Sequence, residues 1–134
     1  MATITSKYSG DLRTESIHLQ SGKKLITDAP VDNNGKGEAF SPTDLLAAAL
    51  CSCMMTIMGI RAKKEGYTLE GLSAEVTKVM HNSPRKVKAI QIVFEWPSPS
   101  VSGDKLEMLK EAALTCPVAL SLSETLHQEI TFKF

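Results

Sequence analysis

Two cysteines stand one residue apart in "AAALCSCMMT", residues 47–56, and a third opens "CPVALSL" at residue 116. A cysteine can be packing material, a metal ligand or a nucleophile, and spacing helps to separate these uses. On a helix, Cys51 and Cys53 project about 200° apart, so the two thiolates cannot grip one ion while the helix stays intact. His18, His81 and His127 are scattered singly and no zinc-type spacing occurs, so no metal and no cofactor are expected. Cys51, inside an apolar stretch, reads equally well as a small buried hydrophobe.

Cys116 precedes Pro117 and so takes an N-cap position. There the exposed N–H groups and the helix dipole favour a thiolate, whereas Cys53 lies mid-helix and gains little from that field. Local physics therefore selects Cys116 as the nucleophile. Cys53 overtakes it only if a cation from elsewhere in the fold reaches its sulfur. Arg13 is the candidate: on the strand "LRTESIHL" the parity 13, 15, 17, 19 groups it with Ile17 and Leu19. An inward Arg needs a partner or a purpose, because an unpaired buried charge is costly. The other reading is an edge-strand Arg snorkelling to water.

The chain that must position these groups has 134 residues, 43% of them apolar, with 15 basic and 15 acidic side chains. That is enough for one domain with a packed core. Zero net charge and the lack of a dense Lys/Arg stripe argue against nucleic-acid and membrane-surface partners, which need a positive field. The start carries no basic segment followed by an apolar one, so a cytoplasmic location is expected. Three cysteines, an odd number, do not make a disulfide scaffold. The uncharged run Leu45 to Ile60 falls short of the roughly 20 residues of a membrane-spanning helix, and is read as a helix buried in protein on nearly all sides.

Alternation and turn residues predict three short antiparallel strands in the first 30 residues, separated at "SGD" and "QSGK". "APVDNNGKGEAF", residues 29–40, is a loop. At "SPTD", Ser41 can cap a helix, Pro42 suits its first position and Asp44 sits where a capping-box carboxylate reaches back. The helix should run to about residue 65, where Gly66 stops it. A hairpin around "NSPR" follows, with Ile90, Ile92, Phe94 and Trp96 on one face. Then come a helix from "DKLEMLKEAALTC", a short helix opened by Cys116 and Pro117, and a last strand, "HQEITFKF". The sum is a single α+β domain.

"FSPTDLLAAALCSCMM" resembles the helix opening of the OsmC/Ohr family, the osmotically inducible and organic hydroperoxide resistance proteins. In that pattern a cysteine follows the proline by eleven residues, which from Pro42 lands on Cys53. "CPVALSL" is similar to the family's second motif. The resemblance implies a fold of N-terminal antiparallel strands, a long central apolar helix, and a second antiparallel sheet with two helices, assembled as an intertwined homodimer. It implies that Cys53 reacts with peroxide, that Cys116 resolves the product as a disulfide, and that Arg13 stabilises the Cys53 thiolate. Thr43 stands where the peroxidase branch carries a Glu paired with that Arg. Asp44, whose other role is the helix cap, and Glu38, in the preceding loop, are the candidate replacement acids.

The function so implied is a thiol peroxidase, reducing organic hydroperoxides and recharged by a dithiol such as a dihydrolipoyl group. Two other readings use the same residues. One is a non-enzymatic stress-response dimer binding a small apolar ligand; the other is a stoichiometric thiol redox sensor.

Overall fold

Glycines and short alternating stretches divide the chain as the sequence implies. The computed structural model describes residues 1–134, which form two compact units, Met1–Leu45 and Leu46–Phe134.

The first unit is an antiparallel sheet in the order β1 (Ile4–Gly10), β2 (Arg13–His18), β3 (Lys24–Asp28). A two-residue turn, Asp11 and Leu12, joins β1 to β2 with φ of 53° and 63°. Left-handed backbone is uncommon at non-glycine residues and unusual for leucine. The turn sets Gly10 opposite Arg13, and across the next pair Arg13 stands opposite Asp28. The predicted loop follows and contains one 3-10 turn, Val31–Asn33. The buried residues here are Thr27, Asp28 and Ser41, all polar. Ile4, Tyr8, Leu12, Leu19, Leu25 and Ile26 are exposed. Leu19, expected on an inward face with Arg13, lies beyond the end of β2 and is 48% exposed.

The long helix α1 (Pro42–Glu65) starts in this unit. Its start is a reciprocal capping box, in which Asp44 N–H donates to Ser41 Oγ and Ser41 N–H donates to Asp44 Oδ2, each at 3.0 Å. Its end is a Schellman turn: Gly66, at φ 82°, donates to the Lys63 carbonyl, and Tyr67 N–H donates to the Ala62 carbonyl.

The second unit packs α1 with β4 (Ser73–His81), β5 (Lys86–Glu95), α2 (Asp104–Leu114), α3 (Pro117–Ser121) and β6 (His127–Lys133). The sheet order is β4-β5-β6. The antiparallel second sheet expected from the sequence is in fact mixed, because β6 runs parallel to β5. The connection explains this: α2 and α3 lie between the two strands and carry the chain back to its starting end, as a parallel neighbour requires.

The core joins Leu50, Met54 and Met58 of α1 to Ile90, Ile92, Phe94, Trp96 and Leu109. Phe94 stacks on Phe132 at 5.4 Å, and Trp96 meets Phe134 edge-on at 5.6 Å. The Trp96 indole N–H donates to the Glu70 carbonyl at 2.8 Å, so this large ring is buried without an orphaned donor.

The expectation that α1 is covered on nearly all sides is corrected by its exposure pattern. One stripe, Ala47, Leu50, Cys51, Met54, Met58 and Ala62, is buried along the whole helix, at the spacing of a single helical face. Ala49 and Ile60 are exposed, and Met55 and Ile57 are only partly covered. By length and composition α1 could also cross a membrane, and 33% of its most apolar window is buried within the chain.

Candidate functional site

Helical spacing places the three thiols in different environments. Cys51 belongs to the buried stripe of α1, and burial alone pushes its thiol pKa up. Cys53, two residues on, leaves that stripe and lies half-buried at the edge of the core. Cys116 is fully buried at the start of α3, where its sulfur accepts from Ala119 N–H at 3.4 Å. All three are free thiols.

Cys53 packs against the core cluster that contains Cys116, and its thiol acts on the Cys116 pKa. The Cys116 pKa is raised, first by desolvation and then by this neighbour, while the N–H groups of Ala119 and Val118 pull the other way. The local ranking that made Cys116 the nucleophile is therefore corrected: the N-cap field exists, but burial outweighs it. Of the two sulfurs, Cys53 is the accessible one and Cys116 the protected one.

The first unit holds the cation. Arg13 Nε donates to Asp28 Oδ1 at 2.7 Å and its Nη2 donates to Asp28 Oδ2 at 2.8 Å, a bidentate pair between directly opposed strand residues. Glu38 joins from the loop: its backbone N–H donates to Asp28 Oδ2 at 3.0 Å and its carboxylate lies 3.8 Å from Arg13 Nη2. The hydrogen bonds from Arg13 are the main reason the Asp28 pKa is lowered, and the same pairing raises that of Arg13.

The structure thus brings Cys53 to Cys116, and Arg13 to Glu38. It uses Asp44 as the reciprocal cap of α1. Asp28 is the residue that sequence reasoning missed. The only sequence signal for it is a register count: "LITD" ends β3, and pairing β2 with β3 through their short turn sets Asp28 across from Arg13.

The architecture is thus a three-stranded hairpin sheet, a long apolar helix carrying a cysteine, and a second sheet whose crossover helix begins at a buried partner cysteine. Residues 35–131 match the OsmC-like protein family, to which this chain belongs. Among solved structures, a Psychrobacter arcticus 273-4 protein, provisionally described as an osmotic stress induced and detoxification response protein, is 48% identical with a TM-score of 0.93. That match covers 98% of this chain and 96% of the other. The organic hydroperoxide resistance protein OsmC of Legionella pneumophila is similar in fold, at 18% identity and TM-score 0.76, with 100% and 98% of the two chains covered. OhrB of Bacillus subtilis, an organic hydroperoxide resistance protein, gives 16% identity and 0.65, with 99% and 98% covered. Among curated proteins no sequence match is found.

Proposed function

We propose that this protein is a cytoplasmic thiol peroxidase that reduces organic hydroperoxides. The observation that carries the proposal is the accessible Cys53 beside the buried Cys116. The Cys53 thiolate attacks the terminal oxygen of ROOH; the O–O bond breaks, one proton is taken up, the alcohol ROH leaves and Cys53 becomes a sulfenic acid. The Cys116 thiol then condenses with it, releasing water and closing a disulfide. An external dithiol of the dihydrolipoyl type reduces that disulfide by exchange and is itself oxidised to its cyclic disulfide.

Arg13 serves as the cation that holds the Cys53 thiolate, and the working unit is a homodimer. The dimer is supported by the exposed apolar residues of the first sheet, in a unit that buries only polar side chains, and by the uncovered flank of α1. A partner chain of the same sequence would cover both.

The test is consumption of an alkyl hydroperoxide with excess dihydrolipoamide. Many turnovers are expected from wild type and from Cys51→Ser, and none from Cys53→Ser or Cys116→Ser. Consumption of one equivalent followed by arrest would mark a stoichiometric sensor instead. Full indifference to Cys53→Ser would remove the redox reading.

A further inference from the structure

Arg61, near the end of α1, carries a guanidinium with little to hold. Its Nη2 donates to the Met108 sulfur of α2 at 3.6 Å, and a thioether is a weak acceptor. Its Nε is buried without a hydrogen-bond partner; the Glu65 carboxylate, one turn further along the helix, stands off at 3.9 Å. A buried donor left without an acceptor is costly, the more so on a charged group. Arg13 shows what this edge of a guanidinium accepts when it is filled, since there Nε and Nη2 hold both oxygens of one carboxylate at 2.7 and 2.8 Å. A second orphan lies close by. The Tyr67 hydroxyl is buried without a partner, in a ring that packs under Lys105 of α2, and the Arg61 charge acts on it.

Arg61 also lines a groove of about 490 Å³, together with Met108, Glu111, Ala112, Leu114 and Thr115. That volume suits a small ligand. Three of the lining side chains are apolar, and Leu114 is 47% exposed. Glu111 is exposed, so water and salt screen its charge, whereas the Nε edge of Arg61 is shielded from both. Met108 is unbranched and flexible, and its sulfur gives way readily to a better acceptor. We propose that this groove binds a monocarboxylate with an apolar tail. The carboxylate displaces the Met108 sulfur and takes the Nε–Nη2 edge of Arg61 bidentately, while the tail lies along Met108, Ala112 and Leu114.

The site uses neither peroxide nor the thiols, so its test is independent of the peroxidase reading. Octanoate is titrated into the reduced protein by calorimetry, and the Arg61 Nε–H resonance is followed by nitrogen-edited NMR. Octanoate is expected to bind and to shift that resonance. Acetate, which lacks the tail, and octylamine, which carries the opposite charge, should bind at least about tenfold more weakly. Arg61→Gln should weaken octanoate by about tenfold or more, and Arg61→Lys, which keeps the charge without the fork, should recover part of the loss. Leu114→Glu, a like charge placed at an exposed lining position, should weaken it about tenfold.

Absence of saturable octanoate binding to wild type would overturn the proposal, as would undiminished affinity in folded Arg61→Gln. Equal binding of octylamine would reduce the groove to an apolar surface, and equal binding of acetate would reduce Arg61 to a simple anion contact; either overturns it. If Arg61→Gln fails to fold, Leu114→Glu decides: unchanged affinity overturns the assignment and a tenfold loss supports it.

Discussion

Cys53 packs against the core cluster that holds Cys116, and the two sulfurs differ in access: Cys53 is half-buried, and Cys116 is sealed in the core. The order of events in any oxidation follows from that asymmetry. An oxidant meets Cys53 first, and the neighbour is already in place to receive it.

Peroxide added to the reduced protein should therefore give a single internal disulfide linking Cys53 to Cys116, with Cys51 left as a thiol. Peptide mapping by mass spectrometry checks this. In Cys116→Ser the Cys53 sulfenic acid should persist long enough to be trapped by dimedone. A Cys51–Cys53 link would contradict the helical geometry, which points those side chains apart.

The Arg13–Asp28 pair should be visible in acid. Asp28 is an acid whose folded pKa is lowered, mainly by hydrogen bonds from Arg13. Its contribution is therefore complete above the ordinary carboxylate value of 3.8 and is lost as pH falls from there through the lowered folded value. Urea titrations at successive pH values should show stability declining over that window in wild type, with a flatter decline in Asp28→Asn.

The buried thiols act at the other end of the scale. Cys51 and Cys116 have pKa values raised above 9.0 by burial, so stability is fully present below that pH. As pH rises further the unfolded chain ionises first and stability falls. Replacing either residue by Ala should soften the alkaline decline, as read by the same titrations.

Asp44→Ala removes one arm of the capping box at the start of α1 and should destabilise the fold by about 1 kcal/mol, measured by chemical denaturation. A fall in turnover larger than the stability change accounts for would give Asp44 a second task besides its cap.

Phe94→Ala should cost about 3–5 kcal/mol, because the ring is fully buried and its stack on Phe132 would be left facing a void. Thermal unfolding monitored by circular dichroism measures this. Sedimentation of the intact protein should give twice the 14.5 kDa chain mass.

Much of the architecture could be read from residue order because local signals agreed. Ser41, Pro42 and Asp44 fixed the start of α1, Gly66 its end, and Cys116 with Pro117 the start of α3. What escaped depends on relations between distant segments. Nothing in "HQEITFKF" states which way it runs beside β5; the direction is set by the path through α2 and α3. Asp28 looked like an ordinary strand-end acid until pairing register put it opposite Arg13. The ranking of the thiols failed for a related reason, since an N-cap can be recognised locally but the loss of solvent around Cys116 is a property of the whole core. The resemblance to OsmC-like motifs favours Cys53 as the reacting thiol, where local electrostatics favours Cys116.

Met54 and Met58 share a helix with Cys53 and are 0% exposed. Thioethers are themselves targets of the oxidants that a cysteine of this kind would meet, and conversion to sulfoxide inserts a polar group where none can be hydrated. Sealing these two inside leaves the half-buried Cys53 the easier of these targets to reach on that helix. A molecule so arranged would lose its chemistry to over-oxidation well before it lost its shape.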